Sequence, residues 1–202
     1  MLDSLPRGPV DVAVVGGGVI GASCAYFLSR EGASVALLER AGLASGTSGA
    51  CDGVVVVHDK TPGPALELAL VSAAAYRRLV AELGEGLEYR KKKGLLLASS
   101  EEDMGTLRER CRLLQEAGLR VEMVDGARLR KEEPLLADDL PGAMASLEEA
   151  QVNPMGVALT LAMAARRRGA RVCTHTPVTG FRVAGGLVRS LVTPRGELAA
   201  GT

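Results

Sequence analysis

The chain has 202 residues, enough for one or two domains with a real core, and its 47% hydrophobic and 24% charged residues are ordinary for a globular protein. Its 24 basic and 24 acidic residues cancel, and no basic stripe is interleaved with aromatics, so there is no electrostatic footprint for nucleic acid. Aromatics are 2% of the chain and Trp is absent, so packing must rest on Leu, Val and Ala.

The leader MLDSLPRGP is short and polar, and the apolar run after it is broken by glycines and then by Arg30 and Glu31. That pattern suits a strand and a helix better than a signal peptide or a membrane span, and a cytoplasmic location is the default expectation. Residues 10–15 form an apolar strand, Gly16, Gly18 and Gly21 fall in GxGxxG spacing, and an amphipathic helix follows to Gly32. A second strand, residues 34–38, ends on Glu39. This is the arrangement of a dinucleotide site: a tight turn at Gly16, close approach of a pyrophosphate at Gly18, close helix packing at Gly21, and helix amides facing the phosphates. Glu39 stands where a carboxylate accepts hydrogen bonds from an adenosine ribose and disfavours a 2′-phosphate.

The next stretch is rich in small residues, Ser45, Gly46, Thr47, Ser48, Gly49 and Ala50, whose short side chains let backbone and hydroxyls lie against a flat, extended cofactor. Pro64 opens a helix through Leu83, with Leu66, Leu70, Ala73 and Ala74 on one face. Two strand segments around the basic bend at residues 90–93 lead to a helix over 101–117, a strand over 120–124, and a short helix capped by Asp125 that stops at Pro134. The basic bend reads as a solvated face. Asn153 and Pro154 introduce a helix to about Arg168, and three strands follow at 171–174, 178–184 and 187–193, with Gly185 and Gly186 at a hairpin turn. The last residues, GELAAGT, begin another strand.

The four cysteines, Cys24, Cys51, Cys111 and Cys173, have no ligand-like spacing, so no metal is expected, and Cys24 and Cys173 read as small buried hydrophobes. Of the two histidines, His58 is the one whose loop position favours facing a ligand.

These residues resemble the FAD-dependent amino acid and amine oxidoreductases of the glycine oxidase, sarcosine oxidase and D-amino acid oxidase type. The resemblance is carried by VVGGGVIGASCAYFLSREGASVALLER, GLASGTSGACDGVV, EEPLL at 132–136, QVNP at 151–154 and TPVTGF at 176–181, in the family's order along nearly the whole chain. It implies FAD as cofactor, with Gly16, Gly18, Val19, Ile20 and Gly21 at the pyrophosphate turn and Glu39 and Arg40 at the ribose. Thr47 and Ser48 would lie near the diphosphate, Cys51, Asp52, Gly53 and Val54 beside the isoalloxazine, and Val178 would meet the adenine through its backbone. Similar enzymes pass a hydride from the carbon beside a substrate nitrogen to the flavin, with no obligatory side-chain base, and the catalytic residues here are not identified.

The expected fold is α/β, a Rossmann-like FAD-binding domain (residues 1–86 and 150–202) interrupted by an α+β portion of a substrate domain (87–149), and incomplete at its C-terminus. The resemblance also implies an arginine that clamps the substrate carboxylate and a segment closing around the flavin, neither found before Thr202. The expected substrate is a small amino acid or secondary amine such as glycine, sarcosine, proline or a D-amino acid. An open sheet edge would favour a homo-oligomer or a complementary chain. A non-catalytic nucleotide-binding half completed by another chain and an NAD-dependent dehydrogenase stay open as alternatives.

Overall fold

The computed structural model describes residues 3–201. In chain order they form β1 (Val12–Val15), α1 (Val19–Arg30), β2 (Val35–Leu38), β3 (Val54–Val55), α2 (Pro64–Leu83), β4 (Arg90–Lys91) and β5 (Gly94–Ala98). There follow α3 (Glu101–Glu116), β6 (Val121–Asp125), α4 (Gly126–Glu132), β7 (Gly142–Ser146), β8 (Ala150–Gln151), α5 (Pro154–Arg167) and β9 (Arg171–Cys173). The final strands are β10 (Gly180–Ala184), β11 (Leu187–Thr193) and β12 (Gly196–Ala199), and short 3₁₀ turns occupy Thr47–Gly49 and Gly84–Leu87. Two compact units result: one from the residues up to Gly53, Leu83–Glu88 and those from Asn153 onward, the other from Val54–Glu82 and Tyr89–Val152.

The first unit is built on a parallel sheet in the order β1-β2-β9, with Val12 opposite Val35 and Leu38 opposite Cys173. The central strand β2 is buried along its whole length, which is why its sequence, VALL, is continuously apolar rather than alternating. Helices α1 and α5 pack against each other, and each buries small side chains, Ala22 and Ala25 on one and Ala158, Ala162, Ala164 and Ala165 on the other. Such alanines let an aromatic-poor chain close a core without large rings. Helix α5 starts sharply because Pro154 needs no amide partner there and the Asn153 side-chain oxygen accepts the Gly156 N–H at 3.0 Å. A second sheet, β10-β11-β12, is antiparallel, and its hairpin turns at Gly185 (φ 61°) and Gly186 (φ 75°), left-handed positions that glycine adopts without strain. Beyond β12, Ala200 makes a parallel bridge to Val10, and the Gly201 N–H donates to the Val10 carbonyl at 3.0 Å.

The second unit holds an antiparallel sheet, β5-β7-β6, with α3 against it, and a small sheet, β3-β8-β4. The N-terminus of α3 is capped by Ser100, whose hydroxyl accepts the Asp103 N–H at 3.1 Å, while the Asp103 carboxylate accepts the Ser99 N–H at 2.9 Å. Asp125 caps α4 in the same way, accepting the Arg128 N–H at 2.8 Å. Helix α2 falls in this unit rather than with the first segment, where the expected boundary at residue 86 puts it. The reason is packing: Leu66 and Ala73 bury into one cluster with Met104, Leu107, Cys111, Leu114 and Met144.

Two local expectations are corrected, those for Cys24 and His58, and one strand goes unmarked in the sequence. Strand β7, GAMAS, has no β-branched residue to mark it, yet it is the buried centre of its sheet. Cys24 is exposed, one turn beyond exposed Ile20 on the outer face of α1, whereas Cys173 is buried as expected. His58 is buried against Glu149: Nδ1 lies 2.8 Å from Oε1, at ion-pair distance but without the alignment of a hydrogen bond. No helix among the described residues is long and apolar enough to cross a membrane.

Candidate nucleotide cleft

The chain leaves β1 through Gly16, whose φ of 108° is costly for any residue with a Cβ, and whose N–H donates to the Leu38 carbonyl at 2.8 Å. This ties the turn to the end of β2, where Glu39 begins. Glu39 is then clasped from two sides: the Gly17 N–H donates to Oε2 at 2.6 Å and the Ala41 N–H to Oε1 at 2.7 Å. Its main chain is held as well, its N–H donating to the Cys173 carbonyl at 2.9 Å and its carbonyl accepting the Thr176 N–H at 2.8 Å. Each carboxylate oxygen keeps a further lone pair for a ligand hydroxyl.

Gly18 is the residue before α1, and a Cβ there would stand 2.9 Å from Ser48 Oγ. At Gly21 the conflict is harder, since a Cβ would fall 1.9 Å from the Gly16 carbonyl oxygen, so the first turn of α1 lies directly on the strand exit. Ser48 faces the same helix end, and its hydroxyl accepts the Val19 N–H at 2.9 Å. The small-residue loop is thereby fastened to the N-terminus of α1, where amide dipoles favour negative charge. A second tie is the Ala44 N–H, which donates to the Gly17 carbonyl at 3.0 Å while Ala44 adopts a φ of 57°.

Gly18, Glu39, Arg40, Ala41, Ser45, Gly46, Thr47 and Ser48 line one cleft of ≈ 440 Å³. Five of the sequence-derived candidates, Gly18, Glu39, Arg40, Thr47 and Ser48, therefore meet in one place. Gly16, Val19 and Gly21 belong to the adjoining turn and helix start and do not line it, and Ile20 is 79% exposed. Cys51, exposed, donates its thiol to the Ser48 carbonyl at 3.4 Å, and Asp52 and Gly53 continue the loop. Val54 begins β3, paired with Gln151, and belongs to the second unit. Val178 packs against Val10, Ala36, Leu38 and Leu198 and does not line the cleft.

Gly17, Ala41 and Thr176 escaped sequence reasoning because they act through backbone groups, which every residue type carries. The GGG run was the one available hint for Gly17, where a Cβ would stand 2.8 Å from Leu43 Cδ2 and 2.9 Å from the Glu39 side chain. The cleft suits a dinucleotide with a free ribose. The carboxylate is pre-positioned, backbone is bare at Gly18, and the Thr47 and Ser48 hydroxyls lie beside the N-terminus of α1.

Residues 11–201 match the family of FAD-dependent oxidoreductases designated DAO. Glycine oxidase of Bacillus licheniformis is 35% identical over 187 residues, covering 89% of this chain and 49% of that protein. Human mitochondrial sarcosine dehydrogenase is 32% identical over 175 residues, covering 86% of this chain and 19% of that protein. The crystal structure of glycine oxidase from Geobacillus kaustophilus superposes with a TM-score of 0.89 at 32% identity, over 96% of this chain and 54% of that one. The chain thus spans about half the length of the glycine oxidases it matches. With the family match running over nearly its whole length and the glycine turn, clasped glutamate and small-residue loop gathered in one cleft, this chain belongs to the FAD-dependent oxidoreductase family.

Proposed function

We propose that this chain forms the amino-terminal, FAD-holding part of an oxidoreductase that oxidises the C–N bond of an amino acid or secondary amine. The observation that carries the reading is the clasped Glu39 carboxylate beside the bare Gly18 backbone, in one cleft with Ser48 and Thr47. Glu39 would take the adenosine ribose, with Arg40 beside it. Gly18, Val19, Thr47 and Ser48 would hold the diphosphate against the start of α1, and Cys51, Asp52, Gly53 and Val54 would follow the cofactor toward its ring. The redox chemistry, acceptance of a hydride from the carbon beside the substrate nitrogen, is FAD's when it is bound. This chain's part is to fix the cofactor's position, and the second unit supplies a portion of the substrate domain.

A second reading, a nucleotide-holding half completed by another polypeptide, is favoured by exposed Val15 (54%), Ile20 (79%) and Met155 (48%) where β1 ends and α1 and α5 begin. One experiment addresses both readings: the visible spectrum of the purified chain after incubation with FAD and gel filtration, for wild type and Gly18→Val. Flavin retained by the wild type and lost by the variant supports the cleft. Equal retention would place the cofactor elsewhere. Bleaching by glycine or sarcosine under anaerobic conditions would show that the chain acts unaided, and its absence would favour completion by a partner.

A further inference from the structure

At the opposite end of α5 from the nucleotide cleft lies a second cavity of ≈ 520 Å³, lined by Asp3, Met163, Arg166, Arg167, Gly169, Ala170 and Arg171. The beginning of α5 adjoins the small-residue loop, since a Cβ on Gly49 would touch Met155, and 14 helical residues then separate the two places by roughly 20 Å. Three guanidinium groups face one carboxylate here, so the cavity carries a net positive charge.

The ordinary explanation for basic residues at a helix end is that they satisfy its last carbonyls and oppose its dipole. In α5 the carbonyls of Ala164, Ala165 and Arg166 are already satisfied by main chain: Arg168 N–H donates to Ala164 and Ala165, Gly169 N–H to Arg166 at 3.0 Å, and Ala170 N–H to Ala165 at 3.1 Å, with Gly169 at a φ of 97°. The arginines are thus released from capping. Arg166 instead forks onto Asp3, with Nε 3.0 Å from Oδ2 and Nη2 2.9 Å from Oδ1. The Arg171 Nη2 donates to the carbonyl and hydroxyl of Ser4, each at 3.2 Å, both neutral groups, and its charge shares the field of Asp3 with Arg166, so one carboxylate faces two guanidiniums. Arg167 has no hydrogen-bond or ion-pair partner among the described residues. Three guanidiniums lining one cavity with a single carboxylate among them leave an excess of positive charge and of N–H donors, the arrangement that binds an oxyanion.

We propose that this cavity is a binding site for a phosphate-bearing small molecule, separate from the nucleotide cleft, with Arg167 as its free donor, Arg171 reaching it through the N–H groups not bound to Ser4, and Arg166 shared with Asp3. Phosphate is favoured over a simple carboxylate because a dianion engages more than one guanidinium and outcompetes the Asp3 carboxylate for Arg166. Met163 and Ala170 supply an apolar wall for the body of such a ligand.

The test is titration of the whole chain with inorganic phosphate and with pyrophosphate at constant ionic strength, chloride being the balancing anion, followed by calorimetry. Wild type should bind saturably, and Arg167→Ala/Arg171→Ala should weaken the Kd about tenfold or more. Asp3→Asn keeps an oxygen for the Val172 N–H that Asp3 accepts at 3.0 Å but removes the competing charge, so it should bind phosphate more tightly than wild type. Phosphate bound instead at the nucleotide cleft would be indifferent to the double variant, and that outcome, like non-saturable binding in the wild type, would overturn the proposal. Thermal melts of each variant separate lost binding from lost fold. Because the readout is phosphate rather than FAD, failure here leaves the cofactor reading untouched.

Discussion

Glu39 shows how much of this cleft depends on single residues. Its carboxylate is held by two backbone amides, so on the proposed reading it is already in place for a ribose hydroxyl. Glu39→Gln keeps the shape but puts an amide NH₂ against one of those N–H donors. We expect about tenfold weaker FAD retention, the loss of one charged hydrogen bond of roughly 1.4 kcal/mol, measured by fluorescence titration. Gly21 is a purely steric requirement. With a Cβ placed 1.9 Å from the Gly16 carbonyl oxygen, Gly21→Ala must push α1 off the sheet, and urea unfolding should show a loss of about 3 kcal/mol. Ser48→Ala leaves the Val19 amide without its partner and is expected to cost about 1 kcal/mol of stability in the same assay.

At the scale of elements, the second unit contains a clasp that joins distant segments. The Glu149 carboxylate accepts the Ser146 hydroxyl at 2.7 Å and the Val57 N–H at 3.0 Å, and it faces the His58 ring, while Arg110 from α3 donates to the His58 carbonyl at 3.0 Å. Burial pushes the carboxyl's pKa up, but the His58 ring, the Ser146 hydroxyl and the Val57 amide outweigh it and hold the value below the ordinary one of 4.5. Folding therefore favours the ionised form. Its contribution is complete above pH 4.5 and is lost as the pH falls through the folded value. The urea midpoint of wild type should drop across that acid range more steeply than that of Glu149→Gln, and parallel curves would show that the clasp does not titrate. In the first unit the corresponding element is α5. Leu161, fully buried, should cost about 2–5 kcal/mol when cut to Ala, and the loss of the Asn153 cap about 1 kcal/mol, both read from thermal or urea melts.

On the scale of the molecule, the chain spans about half the length of the glycine oxidases it matches, and the two units draw on interleaved stretches of sequence. The first is closed by an N-terminal and a C-terminal stretch, for Val10, Ala36, Leu38 and Leu198 share one cluster. The β1-α1-β2 unit, its glycine turn and Glu39 were legible in the sequence because a strand, a turn and a helix each have a short-range pattern, and the turn's steric demands leave only glycine. The capped helices α3, α4 and α5 were legible for the same reason. Hidden were the partners that act through backbone, Gly17, Ala41 and Thr176, and strand β7, whose buried alanines carry no strand signature. Also hidden was the membership of α2, decided by which core accepts Leu66 and Ala73. The sequence by itself thus determined the glycine turn, the carboxylate that closes β2 and the class of fold, since these rest on local sterics and periodicity. Only the tertiary structure decided that Glu149 meets Val57 from 92 residues away and that Asp3 meets Arg166 from 163 residues away, because such pairings depend on how the whole chain packs.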